Sequence, residues 1–323
     1  MTRRKLGSSN LMIAPLMFGG NVFNWTVDEA TSHTLLDAFV DGGFNAIDTA
    51  DAYSIWVPGN KGGDSEEVIG SWLARRGGRE RVVIATKTGV PLAPGDGGLA
   101  PDRIERAVDA SLKRLKTDYI DLFQSHVDDA NVPLAETLGA YDKLIKAGKI
   151  RAIGASNFTP ERLAEALDIA ERETLPRFAS LQPLYNLYDR APFESGLEQL
   201  CLDRDVGVIS YYSLASGFLT GKYRSEADLE GRARGAGIRK YLTGRGTAIL
   251  AALDDVAAAH GVGLAQIALA WLMQRPAVTA PIASATSLTQ LQEIMGASRI
   301  TLSQAQIAQL DAASVPKPAA AEG

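Results

Sequence analysis

Short apolar runs alternate with amphipathic helical patterns along almost the whole chain. Eight of these runs have the length and composition of buried strands, and the segments between them carry apolar residues at helical spacing. Because parallel strands need crossover helices between them, this alternation indicates an α/β fold with a parallel sheet. The strands are predicted at residues 15–18, 44–47, 81–85, 119–123, 150–153, 179–182, 207–210 and 278–282.

Six helical patterns lie between consecutive predicted strands, and several begin close to a proline. Proline suits the first helical turn because its nitrogen has no hydrogen that would lack a partner there. The helices are predicted at residues 31–41, 65–75, 101–116, 133–146, 160–172 and 192–205. Eight alternating units without a break in composition favour a single (β/α)8 barrel, the TIM barrel, although an open doubly wound sheet with a second domain gives a similar pattern.

The domain organisation follows from the same pattern. Residues 1–315 are predicted to form one barrel domain, and residues 316–323, rich in Ala and Pro, a flexible tail. Residues 5–13 turn through Gly-Ser-Ser-Asn and are expected to form a hairpin that closes the bottom of the barrel. Two long connections, 54–64 and the Gly- and Arg-rich 218–246, follow the second and seventh strands, and the latter is a candidate lid.

Composition and charge exclude several classes of function. The 323 residues carry a formal net charge of -5 without a basic stripe, which makes a nucleic-acid partner improbable. Cys201 is the single cysteine, so an internal disulfide is impossible, and the three histidines are too scattered to suggest a metal site. No apolar run approaches the roughly 20 residues of a membrane span, and the polar N-terminal residues lack a signal core, so we expect a cytoplasmic protein.

Familiar nucleotide and nucleophile motifs do not fit the chain. The segment from Gly235 to Lys240 follows no predicted strand, as a dinucleotide fingerprint would require. The segment from Leu219 to Tyr223 lacks the spacing of a phosphate-binding loop, and the segment from Gly154 to Phe158 lacks the second Gly of a nucleophile elbow. The chemistry must therefore come from another set of residues.

Four polar side chains lie just after three successive predicted strands: Asp48, Tyr53, Lys87 and His126. Taken singly, each has an ordinary structural interpretation as a turn residue, a packed aromatic, a solvated lysine or a core histidine. In a barrel, however, the carboxyl ends of the strands share one mouth, so the four are expected to meet. Their joint placement favours a catalytic site.

This set has the chemistry of a proton-delivery system. A phenol is a weak acid at neutral pH unless a nearby cation stabilises its phenolate, and Lys87 could supply that cation to Tyr53. Asp48 would keep the lysine charged and aimed. His126 could donate a hydrogen bond that orients a substrate carbonyl.

The chain resembles the aldo-keto reductases from Arg4 to about Gln309. The segment 48–53 (DTADAY) resembles the family's D-T-A-x-x-Y block, and the segment 150–158 (IRAIGASNF) resembles its I-R-x-I-G-x-S-N-F signature. The resemblance implies reduction of aldehyde, ketone or sugar carbonyls by hydride from NAD(P)H, or the reverse reaction of an alcohol or sugar dehydrogenase. It implies that Tyr53 is the general acid, that Asp48 and Lys87 lower its pKa, and that His126 orients the carbonyl.

The resemblance also implies residues that hold the cofactor. Ser156, Asn157 and Gln182 match positions that bind the carboxamide, and Tyr211 matches the aromatic on which the nicotinamide stacks; a helix cap for Ser156 and core packing for Tyr211 are the structural alternatives. The block 214–222 resembles the one whose backbone wraps the pyrophosphate, although Ser213 stands where the family usually has Pro. The further residues assigned to the cofactor are Gly20, Leu214, Ser216, Gly217, Leu219, Lys222, Ala283, Ser284, Thr286, Gln290 and Glu293.

The adenosine end departs from the pattern of many NADPH-using members. Thr286, Gln290 and Ile294 stand where those proteins carry Arg or Asn in or after this block, which weakens the preference for NADPH over NADH. Arg232, Arg234 or Arg239 in the candidate lid could compensate, or could be solvated loop charges. NADPH is the expected cofactor, with NADH as the alternative.

The substrate is expected to be a small carbonyl compound or alcohol. Phe23, Trp25 and Trp56 are the candidate apolar walls of its pocket, and the alternative is that they pack the loops. Tyr188 is a further candidate, and nothing in the sequence specifies an oligomeric state. A second class of function stays open: a cofactor-sensing or scaffold subunit with this fold, which binds NADPH and turns over slowly.

Overall fold

A computed structural model describes residues 2–231 and 235–316. Eight parallel strands form one sheet in which the first seven pair in chain order and the eighth pairs with the first. We label them β1 Met17–Gly19, β2 Ala46–Asp48, β3 Val83–Thr88, β4 Ile120–Ser125, β5 Ile150–Ser156, β6 Phe178–Gln182, β7 Gly207–Val208 and β8 Ile282–Ala283. The predicted number and order of the strands are confirmed.

The sheet closes between its seventh and eighth strands. Val208 forms a parallel bridge with Val278, and the Ile282 amide donates a hydrogen bond to the Ser210 carbonyl at 2.9 Å. Residues 278–281, predicted as strand, therefore run beside β7 although the regular part of β8 begins only at Ile282. The fold is the predicted (β/α)8 barrel, and the open-sheet alternative is wrong.

The helices surround this barrel. They are α1 Glu29–Asp41, α2 Asp64–Arg76, α3 Pro101–Leu115, α4 Leu134–Lys146, α5 Pro160–Glu173, α6 Ala191–Glu194, α7 Leu197–Asp203, α8 Gly235–Ile238, α9 Gly244–His260, α10 Leu264–Met273, α11 Leu288–Gly296 and α12 Gln304–Ser314. The first five agree with the predicted helices to within two residues at each end. The single helix predicted over 192–205 is wrong: it is broken between α6 and α7 at Gly196, whose φ of 164° and ψ of -39° are not helical.

The predicted N-terminal hairpin is present and closes the bottom of the barrel. Arg4–Lys5 pairs antiparallel with Met12–Ile13. Leu6, Leu11 and Ile13 pack into the barrel interior with apolar side chains of the strands. At the turn, Gly7 has φ +48°, and a Cβ there would lie 2.1 Å from the Ala179 carbonyl oxygen, so only glycine lets the hairpin approach the strand starts this closely.

The long segment after β7 is ordered around aromatic side chains. Phe218 stacks on Tyr241 with ring centroids 5.4 Å apart, and Tyr188 meets Tyr241 edge to face. Arg239 is exposed and lies 3.6 Å from Glu226. Arg232, Arg234 and residues 317–323 of the predicted tail lie outside the described residues. Across residues 2–231 and 235–316, no single helix is long and apolar enough to cross a membrane.

Candidate active site

A cavity of about 910 Å³ opens at the carboxyl ends of the barrel strands. Its wall includes Asp48 and Ser156, the last residues of β2 and β5, and Gln182, the last residue of β6. This is the edge at which barrel enzymes carry their active sites, because loops from every strand meet there.

Asp48, Tyr53 and Lys87 form one hydrogen-bonded group at the floor of this cavity. The Lys87 Nζ donates to Asp48 Oδ2 at 2.9 Å, to the Tyr53 hydroxyl at 2.9 Å and to the Thr49 carbonyl at 2.6 Å. The Tyr53 hydroxyl in turn donates to Asp48 Oδ2 at 3.1 Å. All three ammonium protons of the buried lysine are therefore directed to acceptors, which fixes its side chain against the phenol.

Burial and charge set the protonation states of this group. Burial lowers the pKa of Lys87, and the Asp48 carboxylate opposes that shift. Burial, followed by the Asp48 charge, raises the pKa of Tyr53 well above 10. The net shift is thus upward where the sequence predicted a lowering, because desolvation of the phenolate and repulsion by the Asp48 carboxylate are its largest causes. Tyr53 holds its proton throughout the neutral range.

His126 lies on the cavity wall next to Tyr53, with the two ring centroids 6.1 Å apart. Its backbone N–H donates to the Thr88 carbonyl at 2.8 Å, which ties the end of β4 to the end of β3. Burial, together with the Lys87 charge, lowers the pKa of His126 to about 3. The imidazole is consequently neutral at physiological pH, with one ring nitrogen able to donate a hydrogen bond and the other able to accept one.

The residues assigned to the carboxamide form a network that continues from this group. Gln182 Nε2 donates to Asp48 Oδ1 at 2.9 Å, and the Ser156 hydroxyl donates to the Gln182 carbonyl at 2.9 Å. Asn157 Nδ2 donates to the His126 carbonyl at 2.9 Å, and Tyr211 donates to Asn157 Oδ1 at 2.8 Å. The structure therefore brings these four predicted residues together beside the proton-delivery group.

The segment after β7 has a backbone suited to an anion. Ala215, Ser216 and Gly217 are consecutive residues with positive φ, at 48°, 58° and 99°. Left-handed non-glycine residues are strained and concentrate at ligand sites, and successive main-chain N–H groups of such turns form anion-binding concavities. Lys222 also lines the cavity, and its Cε lies 3.6 Å from where a Cβ of Gly217 would be. This part of the chain fits a pyrophosphate.

The far end of the cavity is polar and nearly neutral. The Ser284 hydroxyl donates to Asn21 Oδ1 at 2.6 Å, and the Thr286 backbone N–H and hydroxyl both donate to Gln290 Oε1. Among the described residues that line the whole cavity, those with a charged side chain at neutral pH are Asp48, Lys222 and Glu293. The other predicted residues on this wall are Leu214, Ser216, Gly217 and Ala283.

Several predicted site residues lie elsewhere. Phe23 is fully buried and stacks on Phe18 in the core, so its assignment to the substrate pocket is wrong. Leu219 is likewise a core residue, and Gly20 is buried between two cavity-lining neighbours, with no room for a Cβ beside Ser65. Neither lines the cavity. Trp25 packs edge to face on Trp56 and does not line the cavity either.

Trp56 lines the cavity and is 48% exposed at its mouth. Tyr188 contacts the aromatic cluster of the segment after β7 and is not part of the cavity wall. Val90 and Tyr212 line the cavity and were not predicted. Val90 follows Lys87 and Tyr212 follows Tyr211, each close to a strand end already predicted from the sequence. Because active-site residues of a barrel lie near the carboxyl ends of its strands, both could have been included in the prediction.

Comparisons with known proteins agree with this geometry. A model of the aldo/keto reductase family matches residues 15–315. The chain is 34% identical to Protein tas of Escherichia coli, covering 97% of each chain. It is 32% identical to the L-glyceraldehyde 3-phosphate reductase of Escherichia coli, covering 96% of this chain and 92% of that one. It is 33% identical to a probable voltage-gated potassium channel subunit beta of Arabidopsis thaliana, covering 92% and 91%.

These matches extend over nearly the whole barrel and agree with the residues gathered at its mouth. The chain therefore belongs to the aldo-keto reductase family, and it is an NAD(P)-dependent oxidoreductase that acts on carbonyl groups.

Proposed function

We propose that this protein reduces aldehyde, ketone or sugar carbonyls with NADPH, and that Tyr53 is the general acid. The observation that carries this proposal is the buried group in which Lys87 donates to both Tyr53 and Asp48 at 2.9 Å. The same group can run in reverse on an alcohol or sugar, because a phenolate paired with an ammonium can accept the proton that it had donated.

Each residue has one task in this scheme. Tyr53 transfers its proton to the substrate oxygen, and the neutral His126 donates a hydrogen bond that aligns that oxygen. Lys87 stabilises the phenolate as it forms, and Asp48 keeps the lysine charged against the cost of its burial. When bound, the reduced nicotinamide supplies hydride to the carbonyl carbon.

The polar network of Ser156, Asn157 and Gln182, with Tyr211 beside it, would hold the nicotinamide end of the cofactor. The left-handed turn at 215–217 and Lys222 would hold its phosphates. We propose NADPH as the preferred cofactor, because its use is typical of the family that the chain belongs to. NADH is the alternative, because Thr286 and Gln290 hydrogen-bond each other and add no positive charge for a 2′-phosphate. Equilibrium titrations with both cofactors decide between them: tighter binding of NADH would overturn the preference.

We further propose that residues 1–315 act as one catalytic barrel in the cytoplasm on a small molecule. The barrel helices end at Ser314, and the family match ends at residue 315. The direct test of the activity is oxidation of NADPH or NADH in the presence of a panel of aldehydes, ketones and sugars. Carbonyl-dependent oxidation is the expected result, and its absence across the panel would contradict the proposed reaction.

The second candidate function is a cofactor-sensing subunit with slow turnover. It is favoured by the 33% identity to the probable potassium channel subunit beta of Arabidopsis thaliana. The same panel separates the two candidates. Tight cofactor binding without carbonyl-dependent turnover would support the sensor, whereas turnover on any member of the panel supports the reductase.

A further inference from the structure

A second buried carboxylate lies in the turn that carries Tyr53. Asp51 is 1% exposed, and its backbone N–H donates to the Lys87 carbonyl at 3.1 Å. Its Oδ2 accepts a hydrogen bond from the Thr88 hydroxyl at 2.6 Å. Its Oδ1 is buried and has no hydrogen-bond partner among the described residues. A carboxylate in this position is costly to bury, so its presence needs an explanation beyond packing.

The positive charge opposite it comes from α3. Arg103 is buried, and its Nη2 lies 3.9 Å from Asp51 Oδ2 while its Nη1 donates to the Thr88 hydroxyl at 2.7 Å. The same guanidinium donates to the carbonyls of Val90 and Asp96. Val90 lines the cavity, so this arginine connects a substrate-facing loop, residues 89–98, to the turn that carries the acid.

Thr88 is the centre of this arrangement. Its hydroxyl lies between Asp51 and Arg103, its carbonyl accepts the backbone N–H of His126, and it directly follows Lys87. Thr88 therefore links Arg103 to the backbone of Lys87 and of His126, two members of the proton-delivery site.

We propose that Asp51, Thr88 and Arg103 form a positioning clamp for carbonyl reduction. The clamp holds Lys87, His126 and the loop 89–98 in their positions around the substrate, and it does not itself touch substrate or cofactor. This inference rests on the proposed function of the site. The hydrogen bonds of Asp51, Thr88 and Arg103 described above run to Lys87, Val90, Asp96 and His126 and to none of the residues assigned to the cofactor, so clamp variants should impair the carbonyl step and spare cofactor binding.

The sharpest test compares Thr88→Val with Thr88→Ser. Valine keeps the shape of threonine and removes the hydroxyl that joins Asp51 to Arg103, whereas serine keeps that hydroxyl. Because small displacements of catalytic groups slow a reaction strongly, we expect kcat/KM of Thr88→Val to fall about tenfold to a hundredfold. Thr88→Ser should stay near the wild-type value, and the dissociation constant for the cofactor should be the same in all three proteins.

A second comparison uses two of the arginines of α3. Arg103→Met removes the clamp charge, whereas Arg106→Met removes an exposed arginine that pairs with Asp102 on the same helix. The first variant should lose turnover and the second should not. Adding Thr88→Val to Arg103→Met should cause little further loss, because both changes break the same connection.

Hydrogen exchange of residues 89–98 provides a readout that does not depend on activity. Faster exchange in Arg103→Met than in Arg106→Met is expected, since the loop loses the guanidinium that binds the Val90 and Asp96 carbonyls. Unchanged exchange, or faster exchange with unchanged kcat/KM in a protein that turns over, would overturn the positioning role. If the wild type reduces no carbonyl, the proposed function fails, and the exchange of this loop alone then decides whether the clamp exists.

Discussion

Lys87 Nζ lies 2.9 Å from the Tyr53 hydroxyl and 2.9 Å from Asp48 Oδ2, and its side chain is fully buried. The lysine thus donates one hydrogen bond to the Tyr53 hydroxyl, which becomes negative when its proton leaves, and one to the Asp48 carboxylate, which is already negative. When the proton leaves Tyr53, the ammonium faces two negative oxygens with no competing solvent. The resting phenol keeps its raised pKa, and the ammonium stabilises the negative charge that develops on the phenol oxygen during the transfer.

Removing the ammonium should therefore slow reduction strongly while leaving the cofactor site intact. For Lys87→Met we expect kcat/KM to fall by about a hundredfold or more, since general acid catalysis contributes about that much. The wild-type dissociation constant for the cofactor should be retained, because Lys87 lies behind Tyr53 and does not line the cavity. Steady-state kinetics and a fluorescence titration check both quantities. Wild-type turnover in this variant would show that the phenol needs no cation.

The barrel and the proton-delivery site could be predicted from the sequence because both depend on local patterns. The hydrophobic periods of strands and helices can be recognised in consecutive residues. The strand ends of a barrel meet at one mouth, and the four residues that follow them are Asp48, Tyr53, Lys87 and His126. The inward position of Phe23 could not be predicted, because it depends on packing against Phe18, which periodicity does not report.

The raised pKa of Tyr53 could not be predicted from the sequence either. Its direction depends on the depth of burial and on the distance to the Asp48 carboxylate, which the sequence does not give. The Asp51 clamp was missed for the same reason. Arg103 is one of many charged residues in an amphipathic helix, and only the structure shows that it faces inward.

The titration of Asp51 should appear in the pH dependence of stability. Burial raises its pKa to about 6, above the value of about 3.9 expected in the unfolded chain. Its contribution is therefore fully present below about pH 4 and is lost as the pH rises through about 6, a change of roughly 3 kcal/mol. The titratable and charged groups around it are Glu66 on α2, Arg103 and Arg114 on α3, and Lys87 on β3.

Asp51→Asn removes this titration. The unfolding free energy of the wild type relative to this variant should fall between pH 4 and pH 7, measured by denaturant unfolding at each pH. A difference that is constant with pH would contradict the raised pKa of Asp51.

Trp56 should act on the substrate and not on the cofactor. Its ring lines the cavity mouth beside Tyr53, with ring centroids 6.3 Å apart. Trp56→Ala should raise KM for an aromatic aldehyde about tenfold through lost apolar contact, which corresponds to about 1.4 kcal/mol. Trp25→Ala is the matched control, because Trp25 packs on Trp56 without lining the cavity. An equal rise in both variants would mean that the loop, and not the Trp56 ring, determines KM.

Lys222 should act on the phosphates of the cofactor. Lys222→Met is expected to weaken binding of NADPH and NADH by a similar factor of about ten, because the cation lies beside the left-handed turn at 215–217 and the pyrophosphate is common to both. Titrations at two salt concentrations measure this charge effect. A loss confined to NADPH would instead place the 2′-phosphate at Lys222.

Tyr53→Phe tests the central claim most directly, because it removes one oxygen atom from the proton-delivery group and keeps the ring. The measurement is single-turnover reduction of an aldehyde that the wild type reduces, together with the dissociation constant of the cofactor. We expect unchanged cofactor binding and a rate of reduction lower by about 10²–10⁴. A rate equal to that of the wild type would contradict the assignment of Tyr53 as the general acid.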